Sequence, residues 1–309
     1  MTNGGLFTMK KIIAIILAAI FTLSMTACSK QEEQSDLDYV MNKGVLVVGV
    51  TEFEPMDYLD ENGEWIGFDA ELAKAFAESL GLKAEFVKID WSKKTMELSG
   101  KTVDCIWNGM TLNDEVLASM ECSKAYCSNA QIVILPKEKE NLSMDDLKNL
   151  SFAVENGSAG QAAAEANGFK FTPVLTQADA VMEVASGTSD AAIIDSLMAA
   201  AMVGEGTGYQ DLTYTISLTA EEYGVGFRKG SKLAEKLNEF FANSYADGSL
   251  LSTAEKYGVQ AAELEQYARA RKRRHNKNRA FPLPGKAFMN KGENNVRFFT
   301  AISGCVWRA

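Results

Sequence analysis

Residues 44–50, GVLVVGV, form an unbroken apolar run with valine at four of seven positions. A strand that is apolar on both faces has no side to turn to water. It belongs inside a sheet covered by helices on both faces, which points to parallel α/β architecture. The chain that follows agrees. DENG at 60–63 is a turn. GFDAELAKAFAESLGL then predicts a helix with Asp69 as N-cap, Leu72, Phe76 and Leu80 on one face, and Gly81 as the stop. KAEFVKID is a second strand, Trp91 opens a loop, KTMELSG closes a short helix, and Val103–Trp107 is a third strand. This is β-α-β-α-β, with right-handed crossovers. The third strand is expected to break at Asn108 and Gly109, with a helix starting at Asn113-Asp114-Glu115. A strand end presenting backbone donors, a hydroxyl and an aromatic ring suits a small polar ligand.

A second unit begins at Gln131–Leu135. LSMDDLKNL reads as a short helix capped by Ser143, SFAVENGSAGQAAAEANG as strand, glycine-rich turn and helix, FKFTPVL as a strand and QADAVMEVASG as a helix. SDAAIIDSLMAAAMVG is a strand, a bare aspartate and a helix; EYGVGF and the residues after it add one more strand and at least two helices. Two α/β units and a trailing element suggest two lobes joined by more than one crossing. Strand C-termini would then face a cleft between them.

The ends differ from this body. Met9-Lys10-Lys11, the apolar run Ile12–Leu23 and Met25-Thr26-Ala27-Cys28 read as a lipoprotein signal, residues 1–27, whose cleavage leaves Cys28 as the lipidated first residue. The alternative is an ordinary signal peptide. Residues 28–36 are polar and unpatterned, a flexible tether. From Arg269 onward there are eleven Lys/Arg and one acid; the other 268 residues hold 20 bases and 40 acids. The basic tail, 268–309, contains the only histidine, His275. It reads as a disordered or spurious extension, or else as a contact for anionic lipid or wall polymer.

Charge and residue types exclude several functions. An acidic body argues against nucleic acid. Without histidine it can hold neither a Ser-His-Asp triad nor a histidine metal site, and the cysteine spacing does not suit zinc. No metal or cofactor is expected. Cys105 lies in an apolar strand; Cys122 and Cys127 could close a small disulfide loop or sit apart as core residues.

From about Asp36 to Gln266 the chain resembles the solute-binding proteins of polar-amino-acid ABC importers. VGVTEFEPMDYLDENGEWIGFDAELAKAFAESLG is similar to that family's opening, KTVDCIWNGMTLNDEV to its ligand loop, and EEYGVGFRKGS to its return to the first lobe. The resemblance implies a two-lobed, type II periplasmic-binding-protein fold, each lobe a mixed, mainly parallel sheet flanked by helices. Expected boundaries are 37–127 for the first lobe, 128–221 for the second and 222–267 for the return. It also implies no enzymatic activity, a monomer anchored on the extracytoplasmic face of the membrane, and a membrane permease as partner.

Carried over residue by residue, the resemblance makes Phe53 and Trp91 aromatic walls, and Gly109 and Thr111 the loop that holds the ligand's polar groups. Ser158 stands at a helix start that favours a carboxylate. Asp195 pairs with an α-ammonium. Asn108 is expected to read the ligand side chain, and Trp107 to be floor or core. Two departures stand out. Val116 occupies the place of an arginine that forks onto the ligand carboxylate, and Lys124 is the nearby cation in sequence. Glu52 and Glu155 add acids to Asp195, so the pocket is expected to hold three carboxylates without the family's usual cation, which favours a cationic ligand. The alternatives are a zwitterion held by Ser158 and backbone amides, an enzyme resembling cyclohexadienyl dehydratases with Glu155 or Glu52 as acid, and an extracellular sensor.

Overall fold

The computed structural model describes residues 34–262; the signal segment, Cys28 and the basic tail lie outside them. Helix α1 (Asp36–Lys43) leads into β1 (Val45–Val50), followed by α2 (Phe68–Ser79), β2 (Lys83–Lys88), α3 (Lys94–Ser99), β3 (Cys105–Thr111) and α4 (Asp114–Ser119). Next come β4 (Gln131–Pro136), β5 (Ser151–Glu155), α5 (Ala159–Asn167), β6 (Lys170–Val174), α6 (Gln177–Ser186), β7 (Ala191–Asp195), α7 (Ser196–Met202) and β8 (Leu212–Ser217). The chain closes with β9 (Glu221–Phe227), α8 (Leu233–Asp247) and α9 (Ser249–Lys256).

These strands build two mixed sheets. In the first the order is β2–β1–β3–β9, and the short strands Glu121–Cys122 and Cys127–Asn129 both pair with β9. β1 runs parallel to β2 and β3, whereas β9 is antiparallel to β3. In the second the order is β6–β5–β7–β4–β8; β5 is parallel to β6 and β7, and β4 is antiparallel to both its neighbours. The chain leaves the first sheet after Asn129 and returns to it at Glu221. Directly after the return strand, Arg228 donates to Asp36, to Asp104 and to the Val103 carbonyl, which ties the end of β9 to α1 and to the loop before β3.

β1 has the buried interior position that its composition demands. Other expectations need correction. β3 continues through Asn108 and Gly109 to Thr111, because β9 supplies ladder partners on that side. Asp69 is not the N-cap of α2. That position is Gly67, and the Asp69 carboxylate turns into the core. β8 escaped notice in the sequence because it is an edge strand, largely exposed, with no continuous apolar run. Of the two places open to Trp107, it takes the core: it is fully buried and packs against Phe76, Tyr126 and Phe241 at centroid distances of 6.2, 6.3 and 5.7 Å. Cys122 and Cys127 are free thiols on separate short strands, paired with Gly226 and Tyr223.

A buried polar network fixes the end of β3. The Asn108 amide nitrogen donates to the Thr51 carbonyl at 3.0 Å and to Asp57 Oδ2 at 2.8 Å. Its oxygen accepts from Thr51 N at 3.0 Å and Thr51 Oγ1 at 2.6 Å. All four amide positions are thereby used inside the protein. Next along the strand, Gly109 N donates to Asp69 Oδ2 at 2.8 Å, and Tyr126 Oη donates to the same carboxylate. Gly109 has φ +54°, and a Cβ there would lie 2.5 Å from Phe53 Cε1.

Asn108→Ala should strand Thr51 and Asp57 without partners in the core. We expect a loss of about 2 kcal/mol, of the order measured for a buried unsatisfied group, seen as a lower midpoint in urea at unchanged m-value. Gly109→Ala should lower stability similarly, because the added methyl meets both a ring and a left-handed backbone.

Candidate functional site

A cavity of about 170 Å³ opens between the two sheets. The first sheet and its connections contribute Thr51, Phe53, Trp91, Lys94, Asn108–Thr111, Glu115 and Val116. The second contributes Glu155, Gly157, Ser158, Glu165, Gln177 and Asp195. Most of these sit at strand ends or helix starts, where side chains of the two lobes can converge; Glu165 lies near the end of α5.

Phe53 is buried, with its ring against Gly109 and edge-on to Tyr223 at 6.4 Å. Trp91 starts a short helical turn capped by Asp90, whose Oδ1 accepts from Ser92 N. Thr111 lines the cavity while its hydroxyl donates to Glu221 Oε1 at 3.0 Å. Ser158 caps α5 by accepting from Gln161 N at 3.1 Å.

Asp195, at the end of the fully buried strand β7, occupies the N-cap position of α7 without capping it. Its carboxylate instead accepts from the side-chain amides of Asn129, Gln131 and Gln177. Asn129 and Gln131 also donate to Glu221 Oε1, each at 2.7 Å. Two neutral amides therefore bridge two carboxylates. Neutral donors satisfy hydrogen bonds but not charge. Burial, then the charge of Glu221, push Asp195 up to about 7. Glu155 is 3 % exposed at the end of β5. Burial, then the charge of Asp195, push it up to about 8.

Three expectations about this site change. Glu52 is not among the lining residues; it is half-exposed and pairs with Lys88 at 2.6 Å. Asn108 lines the cavity, but its amide is spent on Thr51 and Asp57, so it positions the strand and cannot read a ligand side chain. The cavity also does hold a cation. Lys94 lies in it, half-buried, donating to the Gly157 carbonyl at 2.8 Å and over the Trp91 ring at 5.0 Å. Lys124 is exposed and is not a lining residue, whereas Val116 is buried against the cavity.

Sequence reasoning missed Lys94, Gln177, Glu115, Glu165 and the supporting Glu221. For Lys94 there was a signal: it follows Trp91 by three residues, one helical turn. The others come together only through sheet order. Among the described residues no group of side chains could hold a metal ion, and no helix is long and apolar enough to cross a membrane.

Two aromatic walls, buried acids and one ammonium in a cleft between lobes suit a small, charged organic solute. Comparison with known proteins agrees. The sequence profile of the bacterial extracellular solute-binding proteins, family 3, matches residues 46–260. The arginine-binding extracellular protein ArtP of Bacillus subtilis is 29% identical over 256 residues, covering 81% of this chain and 98% of that protein. A crystal structure of a mutant of ArgBP from T. maritima superposes with a TM-score of 0.66 at 28% identity, covering 72% of this chain and 98% of that one. An ancestral amino acid-binding protein, described as a precursor of cyclohexadienyl dehydratase, superposes at 0.64 with 31% identity, covering 72% and 99%. The fold is thus the two-lobed type II periplasmic-binding architecture, and the chain belongs to the bacterial extracellular solute-binding proteins of family 3.

Proposed function

We propose that this protein is the binding component of an ABC importer, tethered through Cys28 to the extracytoplasmic face of the membrane. It captures an amino acid with a positively charged side chain as a monomer and presents it to a membrane permease. The observation that carries this reading is the pair of buried carboxylates, Glu155 and Asp195, in one cleft, with neutral side chains and no cation hydrogen-bonded to Asp195 among the described residues. Two acids forced together in a low-dielectric site favour a ligand that brings two positive charges. In this reading Asp195 takes the α-ammonium, Glu155 faces the cationic side chain, and Phe53 and Trp91 enclose the aliphatic part. Thr111, Gly109 and Ser158 offer polar contacts from the two lobes. The arginine-binding relatives support the charge assignment. The lobes would close about the two chain crossings near residues 130 and 220, with the ligand stabilising the closed population.

A second reading has one observation in its favour. Glu155, held protonated near neutrality, is chemically able to act as a general acid, and the ancestral neighbour is described as a precursor of a dehydratase. Loss of prephenate or arogenate in the presence of the purified protein would establish turnover; its absence leaves binding as the function.

Three outcomes test the binding reading. L-Arginine, L-lysine or L-ornithine should raise the unfolding midpoint by mass action, and a shift with neutral or acidic amino acids alone would contradict it. Asp195→Ala should weaken binding by roughly 30-fold or more, the usual cost of truncating one partner of a buried charge pair, while unchanged affinity would remove Asp195 from the ammonium site. The pH dependence has a definite sign. A carboxyl whose pKa is raised on folding adds stability that is complete below its ordinary pKa and lost as pH rises through the folded value. The empty protein should therefore lose stability between about pH 4 and about pH 8, Glu155→Gln should flatten part of that slope, and a cationic ligand should raise the midpoint most at the alkaline end.

A further inference from the structure

An amino acid also brings a carboxylate, and the cavity is hostile to one. Glu115, Glu155, Glu165 and Asp195 all line it, and a carboxyl group in its charged form repels an anion. The one basic side chain among its lining residues is Lys94. Its placement is specific. It opens α3 in the first lobe, yet its ammonium donates to the Gly157 carbonyl in the second at 2.8 Å, with only a longer 3.4 Å contact to the Trp91 carbonyl beside it. The Trp91 ring lies under the charge at 5.0 Å. Lys94 takes part in none of the ion pairs among the described residues. An ammonium has three donors, so at least one remains for a ligand.

The residue it reaches matters equally. Gly157 directly precedes Ser158, the N-cap of the nine-residue helix α5. Lys94 therefore brings its charge to the same place as a helix N-terminus, where backbone N–H groups and the helix dipole also favour an anion. Gly157 has φ +72°, and a Cβ there would lie 2.9 Å from Ser92 Cα, so the turn and the Trp91–Lys94 segment are in close contact across the cleft.

We propose that Lys94 is the receptor for the ligand's carboxylate and the side chain that couples its capture to lobe closure, in the place left without an arginine by Val116. This rests on the amino-acid reading above. Burial lowers the Lys94 pKa while the charges of Glu115 and Glu155 oppose that effect; a carboxylate arriving beside the ammonium would complete its pairing. Such a ligand meets each lobe with complementary charge: its ammonium groups against Asp195 and Glu155 of the second, its carboxylate against Lys94 of the first. A ligand with no carboxylate would leave Lys94 free and lose one lobe's contribution.

The test uses the purified full-length protein and calorimetric titration. The common L-amino acids, L-ornithine and L-cystine are screened, and the tightest binder is then compared with its own α-carboxamide. The wild type should prefer the free acid by roughly 30-fold or more, the scale of a desolvated charge pair. Lys94→Met, which keeps the stem over Trp91, should lose most of that preference by weakening the acid alone. Lys94→Arg should restore it in part. A wild type that binds acid and amide equally overturns the proposal without any variant, and so does a folded Lys94→Met that keeps the preference. No binding of any amino acid overturns the underlying amino-acid reading as well, so the two failures are distinguishable.

Discussion

The site depends on how the end of β3 is held. Asn108, Thr51, Asp57, Asp69 and Gly109 form a hydrogen-bonded set with almost no access to water. Buried polar groups are costly unless paired, and here nearly every one is. The exception is Asp57 Oδ1, which has no hydrogen-bond partner among the described residues. Burial, then the charge of Asp69, hold Asp57 well above the usual carboxylate range, which lets it sit beside a second acid. The consequence is positional. With Asn108 locked to β1 and Gly109 locked to Asp69, the Phe53 ring has one place to go, and the cavity wall is set before any ligand arrives.

Behind the opposite wall the chemistry differs. Asp195 is ringed by amides that supply hydrogen bonds and no charge, while Glu155 shares its burial and adds repulsion. The second lobe thus lines the cleft with buried acids and no basic side chain, and the first carries Lys94 and two aromatic faces. A closing two-lobed protein gains from a ligand only what that ligand offers differently to the open and closed states. In the proposed reading the charge asymmetry supplies that difference, since one solute must satisfy both walls together.

Much of the architecture was readable because it follows from strong local patterns. GVLVVGV reads as an interior strand and is one, Asn113 and Ser158 cap helices as their residue types suggest, and the aspartate after AAII stands at the end of a buried strand. The errors came from tertiary context. Asn108 looked available because amides often face ligands; only the return of the 53–57 turn beside it reveals that Asp57 and Thr51 consume it. Glu52 adjoins Phe53 in sequence, yet alternation along the chain sends it outward to Lys88. On α4, beside the ligand loop, Val116 leaves the family's arginine position without charge, and the cation in the cleft comes instead from α3, on a different connection. Sequence adjacency to a motif is a poor guide to which charge enters a cleft, because the cleft is assembled from strand ends far apart in the chain.

The central claim is that two buried, partly protonated acids receive a cationic amino acid. Proton counting tests it most directly: L-arginine is titrated at neutral pH in buffers of different ionisation enthalpy. If Glu155 and Asp195 are driven to their charged forms by the ligand, binding should release about one proton or more per ligand. Binding with no proton release, or with uptake, would contradict the account.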